Sequence, residues 1–128
     1  MRAFSPEGIH PPFAAYSHGV VSPDGLLAIS GQLGISADGT IPDGAVAQAD
    51  ICFANIEAVL QAAGLDRSAL LRINAYVTDR VHLPGYMAAR DGFMAGITPP
   101  RASTLMIVSG FARPEFVVEV EALAVRST

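Results

Sequence analysis

The sequence contains no lysine and no tryptophan, a single cysteine, and only 16% charged residues. Without lysine the chain cannot form a Schiff base with a carbonyl substrate, anchor pyridoxal phosphate covalently or supply the lysine of a Walker-type phosphate loop. With Cys52 alone, an internal disulfide and a metal site of paired thiolates are excluded. The eight basic residues are all arginines scattered singly from Arg2 to Arg126, and the formal net charge is −4. No basic stripe is there to neutralise a run of phosphates, so no nucleic-acid partner is expected. Long hydrophobic runs are also missing: none approaches the roughly 20 residues of a bilayer span, and Met1 to Pro12 has neither the basic nor the apolar part of a signal peptide. The expectation is a cytoplasmic protein without membrane contact.

What is present is apolar. Hydrophobic residues make up 51% of the 128, enough for one core and more than a monomer of this size needs, which points to self-association. No linker-like stretch divides the chain, so residues 1–128 read as one domain.

Tyr16 to Val21 and Leu26 to Ser30 read as a hairpin around the turn Ser22-Pro23-Asp24-Gly25, with the second strand rising into Gly31-Gln32-Leu33-Gly34. Ala49, Cys52, Phe53, Ile56, Val59, Leu60 and Ala63 recur three or four apart, which predicts a helix over Ala45 to Ala63 stopped by Gly64. Leu71 to Thr78 alternates a drier face (Leu71, Ile73, Ala75, Val77) with a wetter one, as a strand does. A second helix has Pro84 in its first turn and runs on through Phe93, Met94 and Ile97 to Thr98-Pro99-Pro100. Ala102 to Val108 and Phe116 to Val125 read as two further strands. The last strand is apolar on both faces: Phe116, Val118, Val120, Ala122 and Ala124 on one, Val117, Leu123 and Val125 with Glu119 and Glu121 on the other. Helices can cover one face; a second copy would cover the other. Two carboxylates on that second face are costly unless something specific meets them, or else they lie solvated at its rim.

The histidines His10, His18 and His82 show no metal spacing, Cys52 sits in a helix pattern as a core residue, and neither a phosphate-cradle loop nor a G-x-S-x-G elbow is present. The blocks Tyr16-Ser17-His18-Gly19-Val20, Ile29-Ser30-Gly31-Gln32-Leu33, Ala54-Asn55-Ile56, Tyr76-Val77-Thr78-Asp79 and Val118 to Val125 together resemble the Rid (reactive intermediate deaminase, YjgF-like) family across almost the whole chain. The resemblance implies an α+β, chorismate-mutase-like fold: a mixed β-sheet with two helices packed on one face, assembled as a homotrimer with small-molecule sites in the clefts between subunits. It also implies hydrolysis of reactive enamines and imines to keto acids and ammonia, with no metal or organic cofactor. By the same resemblance the site tyrosine falls on Tyr16, the site serine on Ser30 beside Gly31, and the water-handling glutamate on Glu119, with Glu121 as its rival. The pocket asparagine of the second helix falls on Met87. The carboxylate-binding arginine falls on Arg101 when aligned from Pro99-Pro100, whereas alignment from Val108-Ser109-Gly110 puts Ser103 in that slot. A guanidinium there would grip a planar carboxylate bidentately. The expected function is therefore an imine or enamine deaminase. The alternatives are a homologue that keeps the cleft only to bind a ligand and, against the charge balance, an endoribonuclease.

Overall fold

The computed structural model describes residues 1–126. Its strands are β1 (Arg2–Phe4), β2 (Gly19–Val21), β3 (Leu26–Leu33), β4 (Leu70–Val77), β5 (Ala102–Ile107) and β6 (Val118–Val125), with helices α1 (Ala45–Ala62) after β3 and α2 (Leu83–Phe93) after β4. The strands form one six-stranded sheet in the order β1-β2-β3-β6-β4-β5. Only β4 and β5 run parallel, joined by the α2 crossover; the other neighbours are antiparallel. This is the mixed α+β sheet expected of the sequence.

Both helices lie on one face. The α1 stripe read from the sequence is the buried one, with Ala49, Cys52, Phe53, Ile56, Val59, Leu60 and Ala63 all packed into the core. The helix stops where Gly64 turns to φ +75°, a conformation that costs a side chain but not glycine, and two bonds close its end: Gly64 N–H to the Gln61 carbonyl at 2.9 Å and Leu65 N–H to that of Leu60 at 2.8 Å. Beneath it Val118, Val120, Ala122 and Ala124 of β6 are buried, joined by Leu27 and Ile29 of β3 and by Ile73, Ala75 and Val77 of β4. Among the described residues, no layer covers the opposite face of the sheet.

The turn between β2 and β3 forms as expected, with Gly25 N–H donating to the Ser22 carbonyl at 3.0 Å. Five expectations are corrected. The three-residue β1 pairs with β2 although no strand was expected there, and Tyr16 to His18 precede β2 instead of opening it. The α2 helix ends at Phe93, because Arg67 caps its carbonyl end, donating to the Phe93 and Ala95 carbonyls, so Met94 to Ile97 continue as turns. Phe116 and Val117 lie before β6. Leu71 is 51% exposed, since the pairing of β4 with β6 slips between Leu70 and Arg72 and buries Leu70 in its stead.

Candidate functional site

The uncovered face is set by the register of three strands. Arg72, Asn74 and Tyr76 of β4 lie opposite Ala102, Thr104 and Met106 on one side and Leu123, Glu121 and Glu119 on the other. Next to β6, the β3 strand bulges between Ile29 and Gln32, and this irregularity turns Ser30 and Gly31 to the same region as Glu119.

The Ser30–Glu119 corner is built from the backbone outward. Ser30 N–H donates to the His18 carbonyl at 2.8 Å, and Ser30 Oγ donates to the Ser17 carbonyl at 2.7 Å. The hydroxyl proton is thereby occupied and its oxygen lone pairs are available to accept. Gly31 gives Glu119 its place: a Cβ on Gly31 would stand 2.8 Å from the Glu119 Cδ, so only a residue without one lets the carboxylate lie over the bulge. Glu119 is half-buried and accepts no hydrogen bond among the described residues. Burial raises its pKa, and the nearby charge of Glu121 raises it further. Glu121 differs, since the Tyr76 hydroxyl donates to it. Of the two carboxylates, Glu119 is the unpartnered one.

Behind the bulge lies a support that the sequence did not reveal. His18 is buried; its Nε2 meets the His10 carbonyl at 2.7 Å, and its Nδ1 lies 3.1 Å from the Gln32 amide nitrogen. A carbonyl can only accept, so the proton sits on Nε2, while Nδ1 accepts from Gln32. The same Gln32 nitrogen donates to the Ser30 carbonyl at 3.0 Å, and the Cys52 thiol donates to the Gln32 carbonyl at 3.1 Å. Burial pushes the Cys52 thiol well up, which makes it inert. The blocks containing His18 and Gln32 were visible in the sequence, but nothing in their spacing disclosed that they clamp the bulge.

Tyr16 is 42% exposed on the loop beside Ser17, and its ring stands edge-on to His18 at 6.4 Å. Its hydroxyl accepts from Phe13 N–H at 3.2 Å, which leaves the phenol proton free to donate elsewhere. Met87 is exposed on α2, in the helix layer, away from the open face.

Arg101 and Ser103 are not brought to this corner. Ser103 lies opposite Ile73, a core residue beneath the helices, so it points to the covered face; its neighbour Thr104 is the one on the open face. Arg101 is held at the far end of β4. Its Nε donates to the Leu70 carbonyl at 2.6 Å, Nη1 to that of Pro99 at 2.6 Å and Nη2 to that of Ser68 at 2.8 Å. It closes a loop, each of its three nitrogens donating to one backbone carbonyl. A concavity of about 780 Å³ lies at this end between Gly64, Ser68, Leu71, Pro100 and Val125, and includes neither Ser30 nor Glu119. Among the described residues no three His, Cys, Asp or Glu side chains converge to hold a metal ion, and no helix is long and apolar enough to cross a membrane.

The sequence profile of the family Endoribonuclease L-PSP matches residues 8–126. The chain belongs to this family, the Rid or YjgF-like group that its motifs resembled. A RutC family protein of Aquifex aeolicus is 38% identical over 69 residues; the match spans 53% of this chain and about half, 54%, of that protein. In fold the chain is similar to the YjgF gene product of E. coli (24% identity, TM-score 0.91, covering 99% of this chain and all of that one). It is equally similar to E. coli TdcF with bound serine (24% identity, TM-score 0.89, 99% and 100% covered).

Proposed function

We propose that this family member hydrolyses the C=N bond of a small imine, or of the enamine in equilibrium with it, in a cleft completed by a second copy of the chain. The observation that carries this reading is the half-buried Glu119 carboxylate, held over Gly31 beside Ser30 with no partner of its own. In such a cleft Glu119 takes a proton from water as its oxygen bonds to the imine carbon and the C=N electron pair moves to nitrogen. The proton returns from Glu119 to that nitrogen and gives a carbinolamine; Glu119 then takes the proton of its hydroxyl as the carbonyl forms and delivers it to nitrogen as the C–N bond breaks, so that ammonia leaves. Ser30 Oγ accepts from the substrate N–H, and the Tyr16 hydroxyl donates to the adduct oxygen. Bound serine in the related TdcF supports a ligand of amino-acid size.

The test is ammonia release from a panel of imino acids generated in the assay by an amino-acid oxidase. Glu119→Gln keeps the shape and removes the titrating proton, so it should lower turnover by about 10²-fold in a protein of unchanged mass. Wild-type turnover in that variant overturns the role of Glu119. A second reading, a binding cleft without deaminase chemistry, draws on the engagement of Arg101 with three carbonyls. Tight binding of amino or keto acids with no ammonia release from any imine would establish it. The net charge of −4 and the dispersed arginines speak against RNA cleavage.

A further inference from the structure

We infer that Arg72, on β4, is the residue that grips the anionic group of the substrate, and that it does so from a neighbouring copy of the chain. The inference rests on the proposed hydrolysis in a shared cleft and adds its specificity-determining cation.

Among the described residues Arg72 is the one arginine that strand register places on the uncovered face, opposite Ala102 and Leu123. Its side chain runs along the sheet to Thr104, where Nη1 donates to Oγ1 at 2.8 Å and to Asn74 Oδ1 at 3.3 Å. Both partners are neutral. The ion pairs among the described residues join Arg90 to Asp91 and Arg113 to Glu115, and Arg72 takes part in neither. A half-buried guanidinium, oriented by two neutral acceptors and lacking a carboxylate, is set up for an incoming anion, because the remaining N–H groups of its fork still need acceptors. Thr104 stands one residue beyond Ser103, on the face that Ser103 does not reach, so Arg72 brings a guanidinium to the β5 surface where the strand itself carries none.

Within one chain this cation and Glu119 cannot hold one small molecule. The Glu119 carboxylate leans over Gly31 on β3, the Arg72 guanidinium leans over Thr104 on β5, and β6 and β4 lie between. Three strand spacings amount to about 14 Å. The site is thus incomplete without a second copy whose β5 side meets the β3 side of the first, a head-to-tail contact that closes into a ring. The face offers what such a contact uses: Leu26 and Val125 are 42% and 41% exposed at one end and Met106 is 55% exposed at the β5 edge. The carboxylates of one copy would then face the unpaired cation of the next.

The experiment measures binding of pyruvate, a small 2-keto acid of the product class, and of its neutral analogue methyl pyruvate, to the wild type and to Arg72→Ala, Arg72→Lys, Thr104→Val and Arg101→Ala, with the mass of each variant followed by light scattering. Arg72→Ala should weaken pyruvate by about tenfold or more and leave methyl pyruvate unchanged. Arg72→Lys should fall between, because it keeps the charge without the fork, and Thr104→Val should weaken pyruvate several-fold by freeing the guanidinium. Arg101→Ala should bind pyruvate as the wild type does. Wild-type pyruvate affinity in both Arg72 variants overturns the inference, as does a loss in Arg72→Ala that dissociation fully explains while Arg72→Lys and Thr104→Val bind normally. If the Arg72 variants bind normally while Glu119→Gln loses turnover, the clamp fails and the hydrolysis stands. If the wild type neither binds keto acids nor releases ammonia from any imine, the hydrolysis fails and takes the clamp with it.

Discussion

Glu119 exacts a cost in stability that its variants should reveal. In the unfolded chain its carboxyl titrates near the ordinary 4.5, while burial and the charge of Glu121 raise the value in the fold. Between these two values the folded state holds more protons than the unfolded one, so stability falls as pH rises through that interval. Glu119→Gln should therefore melt at a higher temperature than the wild type at pH 8, the difference vanishing below about pH 4, where the carboxyl of the unfolded chain is protonated as well. Thermal melts across this range check it; an equal or lower melting temperature for the variant at pH 8 would show that ionised Glu119 is compensated. The activity should follow the opposite sign, rising with pH through the same raised value as the base form appears, and this limb should be absent from the Gln variant. Gly31→Ala is the geometric counterpart. Its methyl group would stand 2.8 Å from the Glu119 Cδ, so the carboxylate must move, and turnover should drop by about 10²-fold with a fold that circular dichroism finds intact. Glu119 and Glu121 stand out in the sequence as carboxylates amid apolar alternation, which is a local pattern, whereas the choice of Glu119 and the roles of Ser30 and Gly31 are what the family resemblance implies. Arg72 was not legible, because alternation divides a strand into two faces without saying which of them a distant helix will cover.

At the scale of elements, what the sequence disclosed followed the range of the interaction that forms each one. The α1 stripe and the two faces of β6 are local periodicities, and each is found as read. The β1 strand has three residues and exists only through its pairing with β2, and the slips at Ile29/Gln32 and Leu70/Arg72 exist only in pairing with β6, so neither leaves a local trace. The placing of Ser103 is of this kind: one residue of register, fixed by parallel pairing with β4, decides which face its side chain takes. Gln48 shows how such distant pairings are secured. Fully buried on α1, it donates from Nε2 to the Pro42 carbonyl at 2.9 Å and to the Glu115 carbonyl at 2.8 Å, and its Oε1 accepts from Val117 N–H at 2.9 Å. It thus ties the entry of α1 to the entry of β6, the strand that carries Glu119. Gln48→Leu, similar in volume, would leave two carbonyls and an amide without partners and should lower the unfolding free energy by about 3 kcal/mol in urea titrations. A loss under about 0.5 kcal/mol would mean that water replaces all three bonds.

The whole molecule places its helices on one side of the sheet and leaves an apolar, charge-bearing surface on the other, and a surface of that kind is stable only when covered. Among the described residues, the exposed Leu26, Val125 and Met106 share it with an unpaired Glu119, whose carboxylate lies over β3, and an unpaired Arg72, whose guanidinium lies over β5. A two-fold contact would set like regions of this face together. A ring sets the β5 side of each copy on the β3 side of the next, pairs unlike charges, and leaves no copy with a bare end. A three-membered ring is what the family resemblance implies, so light scattering at micromolar concentration should give about three times the 13.3 kDa chain mass. If the open face makes that contact, Met106→Glu, which sets a new charge among apolar side chains on the β5 edge, should lower the mass toward that of a single chain. Ala54→Glu, on the exposed side of α1 in the helix layer, should leave it unchanged. A single-chain mass for the wild type would remove both the ring and the shared cleft. A wild-type ring that survives Met106→Glu but breaks on Ala54→Glu would move the contact to the helices, and with it the place where Glu119 could meet a partner's Arg72.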